Sequence, residues 1–343
     1  MKIWTICIVL IWVGPESILA KKSNIIGISI NFCFNVGGTN VKLALVNDKG
    51  QIKYSNSVPT RAEMGYEYTV ENIKQAIYDL LKETKLDTKD IEGIGFGFPG
   101  QVDYKAGIVR NAPNIPGWVE VPIAKLIEDE FHIPTRVDND VRCAALGELN
   151  YGAGKGCENL ICITVGTGIG SGLIINGKLV RGASNAAGEI GHIKLQMHGG
   201  PLCGCGDEGC LEAFASGPSI VAMAEDYIKG GKSAKFREIA NGAPITPYIV
   251  CKAANAGDPV AQRIFTIMGE YIGFGMASVV NLLNPEKIIV GGGVADAGDF
   301  LINPLKETLR KRAMKIAGSA VDVVPAELGN TAGVIGASLL IES

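Results

Sequence analysis

"INFCFNVGGTNVKLALVNDKGQI", residues 30 to 52, and "LICITVGTGIGSGLIINGKLV", residues 160 to 180, share one order of parts. Each stretch has an apolar run, a glycine-rich turn, a second apolar run and a tight Asn- or Asp-containing turn that ends in glycine. That order predicts a β-hairpin followed by the start of a third strand. Gly37 and Gly166 occupy equivalent places, 129 residues apart. A repeat at that distance predicts two similarly built domains.

Around the two hairpins, predicted strands alternate with predicted helices. The apolar patterns place strands within residues 91–100, at the residues before "VDND" (137–140), within 286–294 and within 321–326. They place helices at 68–81, 121–131, 141–149, 218–229, 259–283, between the last two of these strands, and from near Thr331 onward. Such alternation is typical of α/β layering. Ligands of these folds bind at the carboxyl ends of strands, often between domains.

Composition limits the class of protein. The 343 residues are enough for two domains, and 47% hydrophobic with 20% charged residues indicates a globular chain. A net charge of −3 gives no reason to expect nucleic acid or an anionic membrane surface as a partner. The nine cysteines are an odd number, and several lie in apolar, strand-like text. We therefore expect reduced thiols in a cytoplasmic protein, not a disulfide framework.

The N-terminus has a different character. "MKIWTICIVLIWV", residues 1 to 13, combines a lysine with an apolar run, and a small residue follows at Ala20. This is the outline of a secretory signal, and the run is too short for a transmembrane helix. The alternative is an extension upstream of the true start, which reduced cysteines favour. We expect residues 1–24 to be a leader or extension outside the fold.

Three glycine clusters follow apolar strands, in "NVGGTN", "VGTGIGSG" and "VGGG". Backbone N–H groups in such turns can converge on phosphate oxygens, and a threonine hydroxyl adds a donor. None of the three is a Walker A loop, and none has the dinucleotide G-x-G-x-x-G in a βαβ setting. Tight hairpins and bulges are the alternative for any one cluster. Three clusters at the ends of three strands favour a nucleotide cleft.

The stretch "VDND" contains Asp138, Asn139 and Asp140 where a strand gives way to a helix. Asp or Asn at this place is commonly a helix N-cap. The functional alternative is a general base that takes a proton from a substrate hydroxyl, while Asn139 hydrogen-bonds another hydroxyl. Sugars suit such short polar groups, because each sugar hydroxyl both donates and accepts.

Three cysteines crowd into "CGCGDEGC", residues 203 to 210, soon after "AAGEIGH". His192, Cys203, Cys205 and Cys210 would form a closed tetrahedral zinc site, which is structural because it has no open position. A Cys205–Cys210 disulfide and His198 as the fourth ligand are the alternatives; a Cys-x-x-Cys redox motif is absent. Zinc here would hold Glu189 and Glu212 in place beside the site.

The order of "VGGTN", "GFGFPG", "NAPNIPGW", "DNDVRCAALGE", "GEIGH", "CGCGDEGCLE" and "LNPEKIIVGGG" resembles the ROK family of bacterial sugar kinases, and within it the glucokinases, over residues 25 to 340. The resemblance implies an α/β, two-domain actin/hexokinase-like (ribonuclease H-like) fold with an interdomain cleft. It implies an N-terminal domain over 25–137, which the C-terminal helix near 331–343 would complete. A larger domain over 138–330 would hold the sugar, zinc and adenosine sites.

The resemblance also implies the reaction and the site. We expect ATP-dependent phosphorylation of a hexose, glucose before others, at O6, with Mg²⁺ bridging the ATP phosphates, a structural Zn²⁺ and a homodimer as the assembly. Asp140 would be the catalytic base. The implied contacts are Asn114, Asn139, Glu189, His192 and Glu212 for the sugar, Gly37, Gly38 and Thr39 for the first phosphate loop, Thr167 and Gly168 for the second, and Gly291, Gly292 and Gly293 for adenosine.

One departure from the family leaves alternatives open. Asn35 stands where the family has aspartate before the first glycine turn, which predicts weaker Mg²⁺ binding or reduced activity. The alternatives are a kinase for N-acetylmannosamine, fructose or allose, or a kinase-like sugar binder without turnover. A sugar-responsive repressor should carry a DNA-binding domain before the first glycine turn. The residues there are apolar and have no helix-turn-helix pattern.

Overall fold

Two five-stranded sheets organise the computed structural model, which describes residues 30–113, 115–232 and 235–341. The predicted leader over 1–24 and the predicted sugar ligand Asn114 lie outside the described residues.

The strands, in chain order, are β1 (Ile30–Val36), β2 (Asn40–Asn47), β3 (Ile52–Pro59), β4 (Gly93–Phe98), β5 (Gln101–Asp103), β6 (Ile108–Asn111), β7 (Val119–Val121), β8 (Thr135–Asn139), β9 (Leu160–Val165), β10 (Ile169–Ile175), β11 (Lys178–Leu179), β12 (Lys287–Gly291) and β13 (Asp322–Pro325). The helices are α1 (Tyr66–Thr84), α2 (Ile123–Phe131), α3 (Asp140–Tyr151), α4 (Leu211–Ala215), α5 (Gly217–Lys229), α6 (Lys235–Ala240), α7 (Pro247–Asn255), α8 (Pro259–Leu283), α9 (Asp299–Arg312), α10 (Lys315–Ala320) and α11 (Ala332–Ser338).

The two large sheets have the same topology. The first has the order β3-β2-β1-β4-β8 and the second the order β11-β10-β9-β12-β13. Each begins with an antiparallel run of three strands and then adds two strands parallel to its first strand. This confirms the predicted hairpins and their repetition. A small sheet, β5-β6-β7, was not predicted, because strands of three or four residues carry too little alternation to be recognised.

Helices cover both faces of each sheet because each sheet carries apolar side chains on both sides. In the first sheet, Phe32 and Phe34 pack with α1, where Val70, Ile73, Ile77 and Leu80 recur at helical spacing. In the second sheet, Ile161, Ile163 and Val290 pack against the long helix α8. These two clusters are the main cores of the two halves.

Helix α3 lies between the two sheets. Cys143 packs with Cys33 and Ala44 of the first sheet, whereas Ala145 packs with Cys162, Ile174 and Ile289 of the second. Residues two apart on a helix point to nearly opposite sides, so one helix can serve two cores. The catalytic candidate Asp140 is the first residue of this shared helix.

Helix α11 returns from the second sheet to the first and crosses α3 at close range. A Cβ atom on Gly336 would overlap the carbonyl oxygen of Cys143, and one on Gly147 would come within 2.6 Å of the Ala332 oxygen. The buried Glu148 carboxylate of α3 accepts the N–H groups of Ala153 (2.9 Å) and Leu328 (2.8 Å). It thereby connects the segment after α3 to the segment before α11.

The division into residues 25–137 and 138–330 stays a prediction.

Helix α8 is long and apolar enough to cross a membrane by length and composition. A core helix passes the same test, and here Ile264, Phe265 and Met268 are fully buried in the second core.

Candidate active site

Three parallel strands of the first sheet end side by side at one edge. Asn35 of β1 pairs with Gly97 of β4, and Gly97 pairs in turn with Asp138 of β8. The first glycine turn follows Asn35, and Asp140 follows Asp138. The register therefore brings the predicted first phosphate loop and the predicted base to the same edge, where α/β folds bind ligands.

Asp140 begins helix α3 directly behind Gly97. A Cβ on Gly97 would lie 3.2 Å from the Asp140 Cα, so the absent side chain lets the two backbones approach. The Asp140 carboxylate accepts the Val141 N–H at 2.9 Å. Burial raises the pKa of the Asp140 carboxyl to about 6, and this hydrogen bond opposes the shift. A carboxylate with that pKa is well matched to proton transfer near neutral pH.

Asn139 is the N-cap of α3, so the structural interpretation of "VDND" holds for this residue. Its Oδ1 accepts the N–H groups of Val141 (3.0 Å) and Arg142 (3.2 Å). Its Nδ2 donates to the Gly100 oxygen at 3.1 Å, which joins the ends of β8 and β4. The amide thus fixes the turn in which Asp140 lies; its contact with sugar stays a prediction.

The first glycine turn is closed by its own backbone and by Thr60. The Gly37 N–H donates to the Asn40 oxygen (2.9 Å), and the Thr60 N–H donates to the Thr39 oxygen (2.9 Å). Gly38 and Thr39 are exposed. The turn therefore offers accessible backbone and hydroxyl groups at the sheet edge, as a phosphate loop requires.

The second and third glycine clusters touch each other. Gly292 has φ +87°, and a Cβ there would lie 2.4 Å from the Val165 oxygen, immediately before the second glycine turn. The Val294 N–H donates to the same oxygen at 3.1 Å. The predicted phosphate contacts Thr167 and Gly168 and the predicted adenosine contacts Gly291 to Gly293 are thus neighbours at the carboxyl ends of β9 and β12.

His192 and the three cysteines converge. One ligand atom from each of His192, Cys203, Cys205 and Cys210 lies within 4.8 Å of the others. Cys203 Sγ is 3.7 Å from His192 Nδ1, and the Sγ atoms of Cys205 and Cys210 are also 3.7 Å apart. Zinc–ligand bonds of about 2.0 to 2.3 Å in a tetrahedron give ligand separations of roughly 3.5 to 3.8 Å. The arrangement therefore fits Zn²⁺.

The structure favours neither of the two alternatives, a Cys205–Cys210 disulfide or His198 as the fourth ligand. The Cys205 and Cys210 sulfurs are free thiols, and their separation far exceeds the disulfide bond length of about 2.0 Å. His198 is exposed and is not a member of the cluster. Occupancy of the centre by zinc stays a prediction.

Glu212 connects the metal centre to the second glycine turn. Its Oε2 accepts the Ile169 N–H at 2.8 Å, and its Oε1 is 3.6 Å from Cys203 Sγ. Glu189 is exposed and immediately precedes the short helical turn that ends at His192. Both predicted sugar-binding carboxylates therefore adjoin the cluster, Glu189 through its backbone bond to His192 and Glu212 through its contact with Cys203.

Three basic side chains near the site were not predicted from the sequence. Arg142 and Arg181 both bind the buried Asp138 carboxylate, and Lys194 contacts Cys210 Sγ at 3.1 Å. The spacing of four residues between Asp138 and Arg142 was the available signal for the first pair. No pattern in the sequence connects Arg181 or Lys194 to its partner.

The chain is similar to kinases and to repressors of one family. It is 38% identical to a glucokinase of Halalkalibacterium halodurans over 90% of this chain and 93% of that protein. It is 30% identical to a xylose repressor of Caldicellulosiruptor bescii over 96% of this chain and 82% of that protein.

Among solved structures, the chain resembles a ROK family glucokinase from Streptomyces griseus in complex with glucose and AMPPNP. The identity is 35%, the TM-score is 0.80, and the match covers 92% of this chain and 99% of that one. This confirms the predicted two-domain, actin-like α/β fold. Residues 31–343 match the model of the ROK family, and the chain belongs to that family.

Proposed function

We propose that the protein transfers the γ-phosphoryl group of ATP to O6 of a hexose, and that glucose is the preferred hexose. The relatives described as glucokinases support sugar phosphorylation, and the glucose and AMPPNP in the Streptomyces griseus structure support the pair of substrates. The observation that carries the proposal is Asp140, a carboxylate of raised pKa at the same sheet edge as the first glycine turn.

In the proposed reaction Asp140 acts as general base. Its carboxylate takes the proton of the 6-hydroxyl while that oxygen forms a bond to the γ-phosphorus, and the bond from this phosphorus to the β,γ-bridging oxygen breaks to release ADP. Such a transfer depends mainly on alignment and charge neutralisation. The two sets of glycine turns supply alignment, the first set at the edge of one sheet and the second at the edge of the other.

ATP would bind across the glycine turns. Gly37, Gly38 and Thr39 would contact its phosphates from the first sheet and Thr167 and Gly168 from the second, with Gly291 to Gly293 beside adenosine. Mg²⁺ enters with ATP and neutralises phosphate charge. Asn35 offers an amide in place of a carboxylate at this edge, so the protein contributes less charge to that ion than an aspartate would.

The hexose would lie between Asp140 and the metal centre. Asn114, Asn139, Glu189, His192 and Glu212 are its proposed ligands. The two ring nitrogens of His192 allow two roles, because Nδ1 faces the cysteines and Nε2 is left for a sugar hydroxyl. Zinc, held by His192 and three cysteines, would supply rigidity and no chemical step.

The resemblance to the family also implies a domain division, an assembly and a cellular location. The first domain would span 25–137 with the C-terminal helix, and the second 138–330. We propose that the enzyme is a cytoplasmic homodimer that binds neither nucleic acid nor membrane.

A panel of hexoses with ATP and Mg²⁺ tests the proposal. Release of ADP should be fastest with glucose, and phosphorus–proton NMR of the product should place the phosphate on O6. Turnover of N-acetylmannosamine, fructose or allose in preference to glucose would replace the substrate but keep the reaction. ADP release with no hexose in the panel would contradict the reaction itself.

A sugar binder without turnover is the second candidate, and two observations favour it: Asn35, and the repressor among the relatives. Asn35→Asp restores the missing charge at the sheet edge. Hexose binding without turnover in the unaltered protein, together with turnover in Asn35→Asp, would establish this candidate in place of the kinase. Turnover in both proteins would exclude it.

A further inference from the structure

Asp138 is fully buried two residues before the proposed base, and it is an ion-pair partner of two arginines. Its Oδ1 lies 3.3 Å from Arg142 Nη1, and its Oδ2 lies 2.6 Å from Arg181 Nε. Oδ1 also accepts the Asn139 N–H at 2.8 Å. A buried carboxylate is stable only with such partners. The Asp138 carboxylate therefore fixes the start of the turn that carries Asn139 and Asp140.

Arg142 extends from this turn to the other side of the proposed sugar site. Its Nη2 donates to the Asn185 oxygen at 2.8 Å and to the Ala187 oxygen at 2.9 Å, and its side chain is only 4% exposed. Ala187 is two residues before Glu189. One buried guanidinium thus connects the turn of the base to the backbone that leads into the proposed sugar ligands Glu189 and His192.

Residues 181–189, which we call the Glu189 segment, are held at further points. The Ala187 N–H donates to the Arg181 oxygen at 3.0 Å, which closes the segment on itself. The Arg181 guanidinium lies over the Tyr104 ring, 3.9 Å from its centroid, and Asn185 Nδ2 donates to Asp103 Oδ1 at 3.3 Å. Asp103 ends β5 and Tyr104 follows it, so the small sheet β5-β6-β7 contacts the Glu189 segment through these two residues.

We infer that Arg142 is a positioning residue: it sets the separation between Asp140 and the Glu189 segment, and thereby the affinity for the hexose. The inference rests on the proposed function. The Arg142 guanidinium bonds to Asp138 on the base side and to the Asn185 and Ala187 oxygens on the sugar-ligand side. None of these three bonds goes to a residue proposed to contact ATP. Its replacement should therefore affect the hexose and leave the nucleotide largely unaffected.

A simpler role for Arg142 is neutralisation of Asp138. Lysine could perform that role, because it supplies one positive charge to one carboxylate. Lysine cannot reproduce the planar fork that reaches Asp138 and two carbonyl oxygens at once. The comparison of Arg142→Lys with Arg142→Met therefore separates positioning from neutralisation.

The experiment measures hexose KM, ATP KM, kcat, the hexose Kd by calorimetry without ATP, and the thermal unfolding midpoint of the whole protein. Arg142→Met should raise the hexose KM and Kd by about 10- to 100-fold, because misplacement of binding groups by an ångström has effects of that order. The ATP KM should stay within about twofold. Arg142→Lys should unfold near the wild-type temperature and yet keep most of the increase in hexose KM and Kd.

Arg136→Met is the matched control. Arg136 lies on β8, the strand that leads into α3, its side chain is 52% exposed, and it pairs with Glu128 at the surface. It should bind and phosphorylate the hexose as the unaltered protein does.

The outcomes separate the inference from the function on which it rests. An unchanged hexose KM and Kd in Arg142→Met, recovery of both in Arg142→Lys, or an equal rise in the ATP KM would overturn the positioning role while leaving the kinase in place. If Arg142→Met does not fold, Arg142→Lys alone decides, since it keeps the charge. An unaltered protein that binds no hexose would overturn both.

Discussion

The two sides of the proposed sugar site are held by different forces. Residues 138–142, the base turn, are fixed by hydrogen bonds and buried ion pairs that form with the core. Residues 203–210, the cysteine loop, are largely exposed between Cys203 and Gly209 and meet the rest of the chain through isolated bridges such as Leu202–Glu208 and Lys194–Cys210. We therefore expect the base turn to need only the folded chain, and the cysteine loop to depend on the metal proposed for it.

Asp138 and Asp140 show the same contrast within a single turn. Asp138 lies next to two arginines and serves structure, whereas burial without such a partner raises the pKa of Asp140 to about 6. Two carboxylates in almost the same place therefore acquire different roles from their surroundings. Removal of the Asp140 carboxylate should affect the chemical step, whereas changes in the cysteine loop should affect sugar binding and metal retention.

Asp140→Asn should have the largest effect on turnover. Asparagine keeps the size but cannot take a proton, so kcat should fall by about 10²- to 10⁴-fold, with the hexose Kd changed only a few-fold. Steady-state kinetics and calorimetry measure the two quantities. Asp129→Asn makes the same change on the exposed face of α2 and should leave kcat unaltered. Equal turnover by Asp140→Asn and the unaltered protein would remove the base from the mechanism.

Cys205→Ser should have the next largest effect, and it acts on the other side of the site. The unaltered protein should contain about one zinc per chain, and loss of a thiolate ligand should lower zinc affinity by more than about 100-fold. The hexose Kd should rise as the cysteine loop loosens. Elemental analysis and calorimetry check both points. Cys157→Ser lies outside the cluster and should keep the metal; equal zinc content in both variants would refute the site.

The pH profile should reveal Asp140 directly. Because the base must be ionised and its pKa is raised to about 6, log kcat/KM should fall with a slope of one as the pH decreases below about 6. The folded protein binds this proton more tightly than the unfolded chain, so its contribution to stability decreases as the pH rises from about 4 to 6. Zinc content should be measured at each pH as the control. A flat profile between pH 5 and 7 with the metal retained would contradict the raised pKa.

Lys194→Met should have the smallest of these effects and should be confined to the cysteine loop. Lys194 Nζ contacts Cys210 Sγ at 3.1 Å and Asp207 Oδ2 at 2.6 Å, so it offsets the negative charge of a site with three thiolates. Its loss should speed zinc transfer to a chelator by about tenfold, with kcat nearly unchanged. Lys194→Arg keeps the charge and should release zinc at close to the wild-type rate. Equal rates for all three proteins would show that the contact is incidental.

Much of the fold could be predicted because it depends on local periodicity. The predicted helix over 259–283 has the bounds of α8, and the predicted helix over 68–81 lies within α1. The prediction missed β5, β6 and β7, and also α4, α6 and α7, because these elements are short and their apolar positions are few. It gave one helix where the chain forms α9 and α10. Site residues were predictable where they cluster in sequence, as the three cysteines do.

The sequence by itself determined the two hairpins, the alternation of strands and helices, the family motifs and the ligand types of the metal centre, since each depends on residues that are close in the chain. The tertiary structure decided which histidine joins the cysteines, that α3 serves both cores, and that Asp138 meets Arg181, 43 residues away. It also decided that Asp138 is paired with two arginines and that burial raises the pKa of Asp140. Burial and charge pairing arise from segments distant in sequence, and no local pattern records them.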